Sequence, residues 1–476
     1  MTQPNIIVFL IDDLGWRDLA CYGSSFYETP NLDRLARQGM QFTNAYASCP
    51  VCSPTRASIM SGKYPARVGV TQFIGGHNNG KLKDVPYLHY LPQEETSVAS
   101  ALRDGGYQTW HIGKWHLGDA PFYPEKHGFD INIGGFEWGA PKNGYFSPWG
   151  MHGLPDAAEG TYLTDHLTDH AVRLLEERNP DRPFFMDFSH YAVHTPLQAP
   201  EHLVEKYRRK AERMHLDAVD PIAVGETIPK VLPDGRQPPP VKRRLFQSHP
   251  VYAAMVESMD TSIGRVLDKL DAEGLTDNTL VVFTSDNGGL ATAEGSPTCN
   301  LPLAEGKGWN YEGGTRVCQI MRWPSRIPAH TLCRTPVTST DFYPTFLEAA
   351  QLPLRPAQHC DGISLMPLLE QTGELDREAI FWHYPHYANQ GGTPAASVVC
   401  GRWKLIQFFE DDHLELYDIE DDISEARDLA AVETGIAKRL KKLLADWQED
   451  VEAKFPEPNP DAPPPQTPET PNNAHV

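Results

Sequence analysis

Asn5-Ile-Ile-Val-Phe-Leu-Ile11, followed at once by Asp12 and Asp13, is the stretch that decides the fold class. An apolar run without polar alternation is typical of a parallel strand that is buried on both faces of a sheet. Three later stretches share this plan and are also followed by polar residues. They predict further strands at residues 107–112, 184–188 and 279–285.

Helical patterns lie between these strands. Residues 30–39 carry apolar side chains at helical spacing, with Asn31 as a candidate cap and Gly39 as a candidate stop. A second helix is predicted near residues 251–270. Strands that alternate with helices predict an α/β sheet.

Composition and charge limit the classes of partner. The 476 residues are 40% hydrophobic and 22% charged, as in an ordinary globular protein. A formal net charge of −21 disfavours nucleic acid and anionic membranes as partners, so an anionic substrate needs local cations. No apolar run approaches the ~20 residues of a membrane-spanning helix and no export signal is visible, so we expect a cytoplasmic protein unless a signal was removed. The eight cysteines are scattered, and we expect mostly free, buried thiols.

The chain divides into three predicted parts. Residues 1–375 form the α/β domain, and the Pro-rich residues 217–250 within it predict a long surface excursion. Residues 376–455 predict a smaller domain with strands at 397–400 and 403–408 and a helix near 433–449.

The last part is a Pro-rich tail at residues 456–476. A free tail is the default expectation, and packing on a neighbouring subunit of a homo-oligomer is the alternative. Just before the predicted C-terminal helix, residues 410–428 hold ten acids against one base. Their spacing is not that of an EF-hand, which favours a solvated face over a calcium loop.

Polar groups follow each predicted strand of the α/β domain. In open α/β sheets ligands bind at the carboxyl ends of the strands, so these groups are candidates for a site. Any one of them has an ordinary structural explanation, and we interpret His190 as structural, but together they indicate function. The groups are Asp12-Asp13, Gly113-Lys114-Trp115-His116, His190 with His194, and Asp286-Asn287.

The sharpest local motif is Cys52-Ser-Pro-Thr-Arg56. Pro54 suits the first turn of a helix, which places Cys52 at a positive helix N-terminus with Arg56 one turn away. That environment favours an anion. The alternative is a redox pair of Cys49 and Cys52, but such a pair would directly follow a strand, and residues 43–48 are polar and loop-like.

Six motifs, in this order along the chain, resemble those of the type I sulfatases of the alkaline phosphatase superfamily. The resemblance covers most of residues 5–430 and implies a large mixed, mostly parallel sheet flanked by helices, with a smaller C-terminal α+β domain of antiparallel strands and a helix. The motifs are Asp12-Asp13, Cys52-Ser-Pro-Thr-Arg56, Gly113-Lys-Trp-His-Leu-Gly118, His194-Thr-Pro196, Asp286-Asn-Gly288 and Gly306-Lys-Gly-Trp-Asn-Tyr-Glu-Gly-Gly-Thr-Arg316.

The resemblance implies hydrolysis of sulfate monoesters by a modified Cys52. In the family a maturation enzyme oxidises this cysteine to formylglycine, whose gem-diol attacks sulfur to give a sulfated hemiacetal that then releases inorganic sulfate. One divalent cation, Ca²⁺ or alternatively Mg²⁺, would be held by Asp12, Asp13, Asp286 and Asn287 with the converted Cys52. These hard oxygen ligands suit such ions.

The resemblance also implies a role for each charged group. Arg56 and Lys114 would hold the hydrated aldehyde, and Asp286 would take the proton of the nucleophile. Lys307 and His194 would donate to the sulfate and protonate the departing alcohol. His116 would be the base that releases sulfate from the hemiacetal.

The substrate is predicted from the rim of the site. Aromatic, His and Asn side chains suit a sugar, so we expect a small sulfated carbohydrate, with aryl sulfates as the alternative. The rim segments are residues 75–80, Trp115, Trp309, 217–250 and 382–387. The substrate-binding candidates are His77, Asn78, Trp309 and His383.

Two other functions compete with this prediction. Phosphodiester or phosphonate monoester hydrolases of the same superfamily generally have His after the ligating Asp, whereas here Asn287 follows Asp286. A noncatalytic protein that binds sulfated glycans would show losses among the catalytic positions. Each of those positions holds the residue type expected of an active sulfatase.

Overall fold

A computed structural model describes residues 3–151, 153–227 and 238–462. The strands are β1 (Asn5–Ile11), β2 (Met40–Tyr46), β3 (Gln108–Gly113), β4 (Ile131–Ile133), β5 (Phe184–Ser189), β6 (Ile222–Thr227), β7 (Pro240–Arg244), β8 (Thr279–Ser285), β9 (Arg316–Arg322), β10 (Thr331–Cys333), β11 (Val337–Thr338), β12 (Ile380–Tyr384), β13 (Ala395–Cys400), β14 (Trp403–Phe408) and β15 (Leu414–Asp418). The helices are α1 (Pro30–Gln38), α2 (Cys52–Ser61), α3 (Pro65–Val68), α4 (Val98–Asp104), α5 (Leu163–Glu177), α6 (Glu201–Arg213), α7 (Pro250–Ala272), α8 (Glu312–Thr315), α9 (Phe342–Ala349), α10 (Met366–Leu369) and α11 (Thr434–Asp450). As the sequence predicts, the strands of the N-terminal part alternate with helices.

The main sheet runs in the order β10-β2-β9-β8-β1-β5-β3-β4, with β11 also paired to β2. Its strands are parallel to their neighbours except that β9 is antiparallel to both β2 and β8. The sheet is therefore mixed and mostly parallel, which confirms the predicted fold class.

Strand β1 shows why its sequence is apolar without alternation. Ile7, Phe9 and Ile11 belong to one buried cluster, which also holds side chains of α1, α5, α6 and α7. Ile6, Val8 and Leu10 belong to a second cluster, which includes side chains of α2, α4, α9 and α10. Helices therefore cover both faces of the sheet, so the strand has no side that faces water.

The prediction of a loop at residues 43–48 is wrong for the first part of that segment. Residues Met40–Tyr46 form β2, which pairs with β9, β10 and β11. Its register with β9 shifts between Phe42 and Ala45, and the two polar residues at this irregularity, Thr43 and Asn44, are half-buried. Polar residues at a bulge of a strand gave the segment its loop-like composition.

The C-terminal part is a four-stranded antiparallel sheet, β12-β13-β14-β15, with α11 packed on one face. Its other face packs on the main domain, where Trp382 lies against Tyr46 and donates from Nε1 to the carbonyl of Ala47 at 2.7 Å. The predicted strands and helix of this region are confirmed.

Two predicted surface segments contain residues with defined backbone contacts. Within residues 217–250, β6 and β7 form an antiparallel ribbon, and residues 228–237 lie outside the described residues. The start of the predicted tail is not free, because Glu457 and Asn459 hydrogen-bond through their backbone to Lys83 and Lys81 at 2.8 Å. Residues 463–476 lie outside the described residues.

Two simpler predictions concern the whole chain. All eight cysteines are free thiols, and five of them are buried, as expected. Among the described residues, no helix is long and apolar enough to cross a membrane.

Candidate active site

The carboxyl ends of four neighbouring strands of the main sheet meet at the candidate site. Asp12 and Asp13 follow β1, Lys114 and His116 follow β3, His194 follows β5, and Asp286 and Asn287 follow β8. The sheet order places these strand ends side by side. The topology therefore brings these residues to one edge of the sheet, as the sequence analysis expects.

The acidic cluster is tightly connected. Asn287 donates from Nδ2 to Oδ1 of Asp13 at 2.9 Å, and the backbone N–H of Asp13 donates to Oδ1 of Asp286 at 3.3 Å. Donor atoms of Asp12, Asp13 and His194 lie within 4.8 Å of one another. The ring of His194, which the sequence analysis did not place among the metal ligands, borders this cluster.

Cys52 is the first residue of α2, as the motif predicts. All ten residues of this helix are buried, so it runs through the protein rather than over its surface. Arg56, one turn on, pairs with Oδ2 of Asp286 at 2.8 Å and donates from Nη1 to the carbonyl of Lys114 at 2.9 Å. The helix therefore holds Cys52 and the acidic cluster in a fixed relation.

Two buried lysines balance the carboxylates. Lys114 Nζ lies 2.6 Å from Oδ2 of Asp12, and Lys307 Nζ lies 2.8 Å from Oδ2 of Asp13. Burial alone would lower the pKa of Lys307, but the carboxylates of Asp13 and then Glu294 raise it above its ordinary value. Lys307 is therefore a cation that faces the pocket beside Cys52.

His116 is the residue whose ring contacts Cys52, with 3.4 Å between Nδ1 and Sγ. Its Nε2 lies 3.1 Å from the carbonyl of Ile74, which fixes the proton on Nε2 and leaves Nδ1 as an acceptor. Burial, followed by the charge of Lys114, lowers the pKa of His116 well below its ordinary value. The ring is therefore neutral, as a base must be.

His194 lies on the opposite side of the cluster. Its Nδ1 is 2.7 Å from the carbonyl of Thr195, and its Nε2 is 3.6 Å from Oδ2 of Asp13. Burial, followed by the charge of Lys307, lowers its pKa to about 3. Of the two groups predicted to give a proton to the departing alcohol, Lys307 is protonated at neutral pH and His194 is not.

A pocket of about 510 Å³ opens above these groups. Cys52, His116, His194 and Lys307 line its floor. Sequence reasoning missed most of the residues that line its walls, because they stand on irregular loops with no periodic signal. The wall residues are Phe73, Ile74, Trp138, Gly139, Ala140, Pro141, Lys142, Glu294, Asn389 and Gln390.

The four substrate-binding candidates do not line this pocket. The prediction for His383 is wrong, because its side chain is buried against Phe409 and Phe455 and its two ring nitrogens contact Gln448 and the carbonyl of Lys454. His77 is exposed and paired with Asp84 at 2.9 Å. An aromatic and histidine-rich sequence cannot show which way its side chains face.

Asn78 and Trp309 do not line the pocket but hydrogen-bond to residues at its rim. Asn78 donates from Nδ2 to the carbonyl of Tyr387 at 2.9 Å. Trp309 donates from Nε1 to the carbonyl of Gln390 at 3.0 Å, and Gln390 lines the pocket. These two residues support the rim where the sequence analysis expected them to contact substrate.

The donor set fits a hard divalent cation. Oδ1 of Asp12 and Oδ1 of Asn287 are buried and accept no hydrogen bond from any described residue. Buried oxygen atoms without donors are costly unless another positive group satisfies them, and carboxylate and amide oxygens are what Ca²⁺ and Mg²⁺ prefer. The acidic cluster is therefore a candidate metal centre.

Strand β2 ends at Tyr46, shortly before Cys49 and Cys52, so the position of this pair relative to a strand does not exclude a redox role. Both thiols are buried, and burial raises the pKa of each above its ordinary value. Redox-active thiols have the opposite shift. The pair therefore lacks the activated thiolate that a redox motif requires.

Family models cover nearly the whole chain. The sulfatase family model matches residues 4–352, and the model of the C-terminal part of N-sulphoglucosamine sulphohydrolase matches residues 306–450. A sulfatase of Formosa agariphila is 32% identical over 94% of this chain and 88% of its own length. The human N-acetylgalactosamine-6-sulfatase is 30% identical over 80% of this chain and 68% of its own length.

Solved structures share the fold over the same range. Ps i-CgsB, also solved in complex with k-i-k-neocarrahexaose, has a TM-score of 0.75 and 28% identity, covering 94% of this chain and 93% of its own. A protein solved with its substrate D-glucosamine-2-N,6-O-disulfate has a TM-score of 0.72 and 25% identity, covering 95% of this chain and 98% of its own. Sequence, fold and the arrangement of the strand ends thus agree, and the chain belongs to the sulfatase family and is a sulfuric ester hydrolase.

Proposed function

We propose that this enzyme removes O-sulfate from a small sulfated carbohydrate, with formylglycine in place of Cys52. The observation that carries the proposal is the pocket floor, where Cys52, His116, His194 and Lys307 meet beside the acidic cluster. The relatives named for N-acetylgalactosamine 6-sulfate and the neighbours solved with neocarrahexaose and glucosamine disulfate support a sugar substrate.

Position 52 is suited to the modified residue. Hydrated formylglycine supplies a hydroxyl group as nucleophile. Nδ1 of His116 is 3.4 Å from the present Sγ and is an acceptor, so His116 is placed to take a proton from the group at position 52. Lys114 and Arg56, both buried, pair with Asp12 and Asp286 and hold these side chains in position.

The cation and Lys307 share the sulfate charge. Asp12, Asp13, Asp286 and Asn287 would hold one divalent ion, Ca²⁺ by family resemblance, which supplies positive charge for sulfate oxygens. Lys307 adds a second positive charge at the pocket floor. Because it is protonated, it is the group that would donate a proton to the leaving alcohol. His194, with a pKa of about 3, positions substrate as a neutral group.

The first test is conversion of position 52 and its consequence for turnover. We expect peptide mass spectrometry of protein made with a formylglycine-generating enzyme to show loss of the thiol at Cys52. Ion chromatography should then show sulfate release from N-acetylgalactosamine 6-sulfate or another member of a sulfated-sugar panel. Cys52→Ala should release none, because it can form no nucleophile.

The controls separate maturation from chemistry. A known sulfatase converted in the same cells shows that the maturation enzyme was active. An unmodified Cys52 beside that converted control would contradict the mechanism. Converted protein that releases 4-nitrophenol from bis-4-nitrophenyl phosphate faster than it releases sulfate from any sugar would favour the phosphodiesterase alternative.

A further inference from the structure

The pocket that receives an anion has a carboxylate in its wall. Glu294 lines the same pocket as Cys52, His116 and Lys307. Lys307 already pairs with the carboxylate of Asp13 at 2.8 Å, so a second carboxylate is not needed to balance the charge of this lysine. A negative side chain here repels any anion and so lowers the affinity of the pocket for it. A carboxylate at this place is useful only if it helps to select one ligand over another.

The backbone at Glu294 is held in an unusual conformation. Four consecutive residues are left-handed, with φ of 57° at Ala293, 47° at Glu294, 89° at Gly295 and 44° at Ser296. Three of them are not glycine, and such residues cost of order 1 kcal/mol or more each in this region. A turn of this kind persists only where the surroundings impose it.

The surroundings of Ser296 supply that constraint. Its backbone N–H donates to the carbonyl of Ala293 at 2.7 Å, and its hydroxyl donates to the carbonyl of Lys242 at 2.6 Å. The buried Arg244 donates from Nε to the carbonyl of Ser296 at 2.5 Å. The ribbon of β6 and β7 thus fixes the turn, and the turn fixes the direction of Glu294.

One oxygen of the Glu294 carboxylate accepts a hydrogen bond from a side chain of the protein. Nε2 of Gln390 donates to Oε1, and Gln390 is itself held by Trp309. No salt bridge joins Glu294 to a cation among residues 3–151, 153–227 and 238–462, although its charge acts on Lys307. Glu294 is exposed at the pocket wall, where Gln390 holds one oxygen of its carboxylate and the other oxygen is open to a ligand.

An oriented carboxylate distinguishes ligands by their charge and by whether they carry a hydrogen-bond donor. It accepts strongly from hydroxyl or ammonium groups of a ligand, since hydrogen bonds to a charged acceptor are about twice as strong as neutral ones. It repels a second sulfate or a carboxylate at the same place. Such a residue raises specificity by excluding the wrong ligand as well as by binding the right one.

Resting on the proposed function, we propose that Glu294 is the specificity-determining residue of this pocket. It accepts a hydrogen bond from a sugar hydroxyl that lies near the cleaved sulfate, and it excludes sugars with a second sulfate in place of that hydroxyl. The enzyme thus acts on monosulfated sugar units, and a disulfated unit must first lose its other sulfate to a different sulfatase.

The test compares two ligands that differ in that one substituent. N-acetylgalactosamine 6-sulfate keeps a free 4-hydroxyl near its sulfate, and N-acetylgalactosamine 4,6-disulfate carries a second sulfate in its place. Calorimetry on calcium-loaded Cys52→Ala protein, which has no nucleophile at position 52 and cannot cleave either ligand, should give about tenfold tighter binding of the monosulfate. Adding Glu294→Gln should weaken the monosulfate and strengthen the disulfate, each by about tenfold.

A matched variant controls for loss of charge. Glu226→Gln removes the same charge from an exposed position on β6 outside the pocket and should leave the ratio unchanged. A ratio that Glu294→Gln does not change, or no binding of either ligand, overturns the proposal. If the ratio changes as expected but converted enzyme releases no sulfate, the proposed function fails while the selectivity of Glu294 stands.

Discussion

At the scale of single residues, the site depends on backbone conformation as much as on side-chain chemistry. Asp13 has φ of 63° and His116 has φ of 55°, both in the left-handed region. Neither is glycine, so each is held there by its surroundings. In this way two successive aspartates after one strand face the same site, where an extended strand would point them to opposite sides.

Lys114 tests the proposed cation without reference to turnover. Its side chain is fully buried and pairs with Asp12 at 2.6 Å. In calcium-free protein, Lys114→Met should lower the free energy of unfolding by about 3 to 5 kcal/mol, because it leaves an unpaired buried carboxylate. Added calcium should restore most of that loss, since the ion supplies the missing positive charge.

Urea unfolding with EDTA and then with excess calcium measures both effects. Calcium should stabilise Lys114→Met by more than it stabilises the parent protein. Equal stabilisation of the two would contradict a cation beside Asp12. The surface variant Lys442→Met, on the exposed face of α11, should behave as the parent does.

At the scale of elements, one buried cation joins the two sheets. Lys404, on β14 of the C-terminal sheet, pairs with Glu312 of α8 and with Glu425, both at 2.9 Å. Glu425 lies in the acidic stretch 410–428, which the sequence predicted to be a solvated face, and here that prediction is wrong. The backbone N–H of Glu312 donates to Glu425 at 2.7 Å, so burial is matched by hydrogen bonds.

Lys404→Met should therefore lower the free energy of unfolding by about 3 to 5 kcal/mol, because two carboxylates lose their common partner in the interior. Differential scanning calorimetry should show a lower melting temperature. Lys442→Met should change stability by less than about 0.5 kcal/mol, because its i,i+4 pair with Asp446 is exposed. Similar melting temperatures for the two variants would show that the cluster does not stabilise the junction.

Some elements were predictable and others were not. Strands β1, β5 and β8 lie within a residue of their predicted bounds, because helices on both faces require continuous apolar runs. The predicted cap of α1 was Asn31, yet its first N–H groups donate to Asp260 of α7, with 2.8 Å from Leu32. A cap supplied by a residue so distant in the chain leaves no local signal.

Some residues of the candidate site could also be predicted from the sequence, and others could not. Motif residues such as Cys52 and Asp12 were predictable because each type of chemistry restricts the residue at its position. Trp138, Lys142 and Glu294 were not, since they lie on irregular loops whose direction depends on tertiary contacts. The Glu294 turn, for example, is set by Arg244 and Lys242 on another strand.

At the scale of the whole molecule, buried histidines make stability depend on pH. Burial lowers the pKa of His190 to about 3 and that of His383 to about 4, against about 6.5 in an unfolded chain. As pH falls below 6.5, the unfolded state takes up protons that the folded state does not. Each histidine should therefore cost about 2 kcal/mol of stability at pH 5, and nothing at pH 7.5.

Urea unfolding at pH 7.5 and pH 5.0 measures this loss, and a variant isolates one histidine. His383→Gln should reduce the difference between the two pH values by about 2 kcal/mol. A pH difference that His383→Gln does not alter would mean that this ring titrates normally in the folded protein.

The burial of α2 also has a consequence for timing. During synthesis Cys52 leaves the ribosome long before Asp286 and Lys307, which later surround it. Once those segments fold over α2, the thiol is only 3% exposed at the floor of the pocket, too deep for the active site of a second enzyme. The conversion proposed for Cys52 would therefore have to precede folding, so the rate at which the nascent chain folds would set the time available for it.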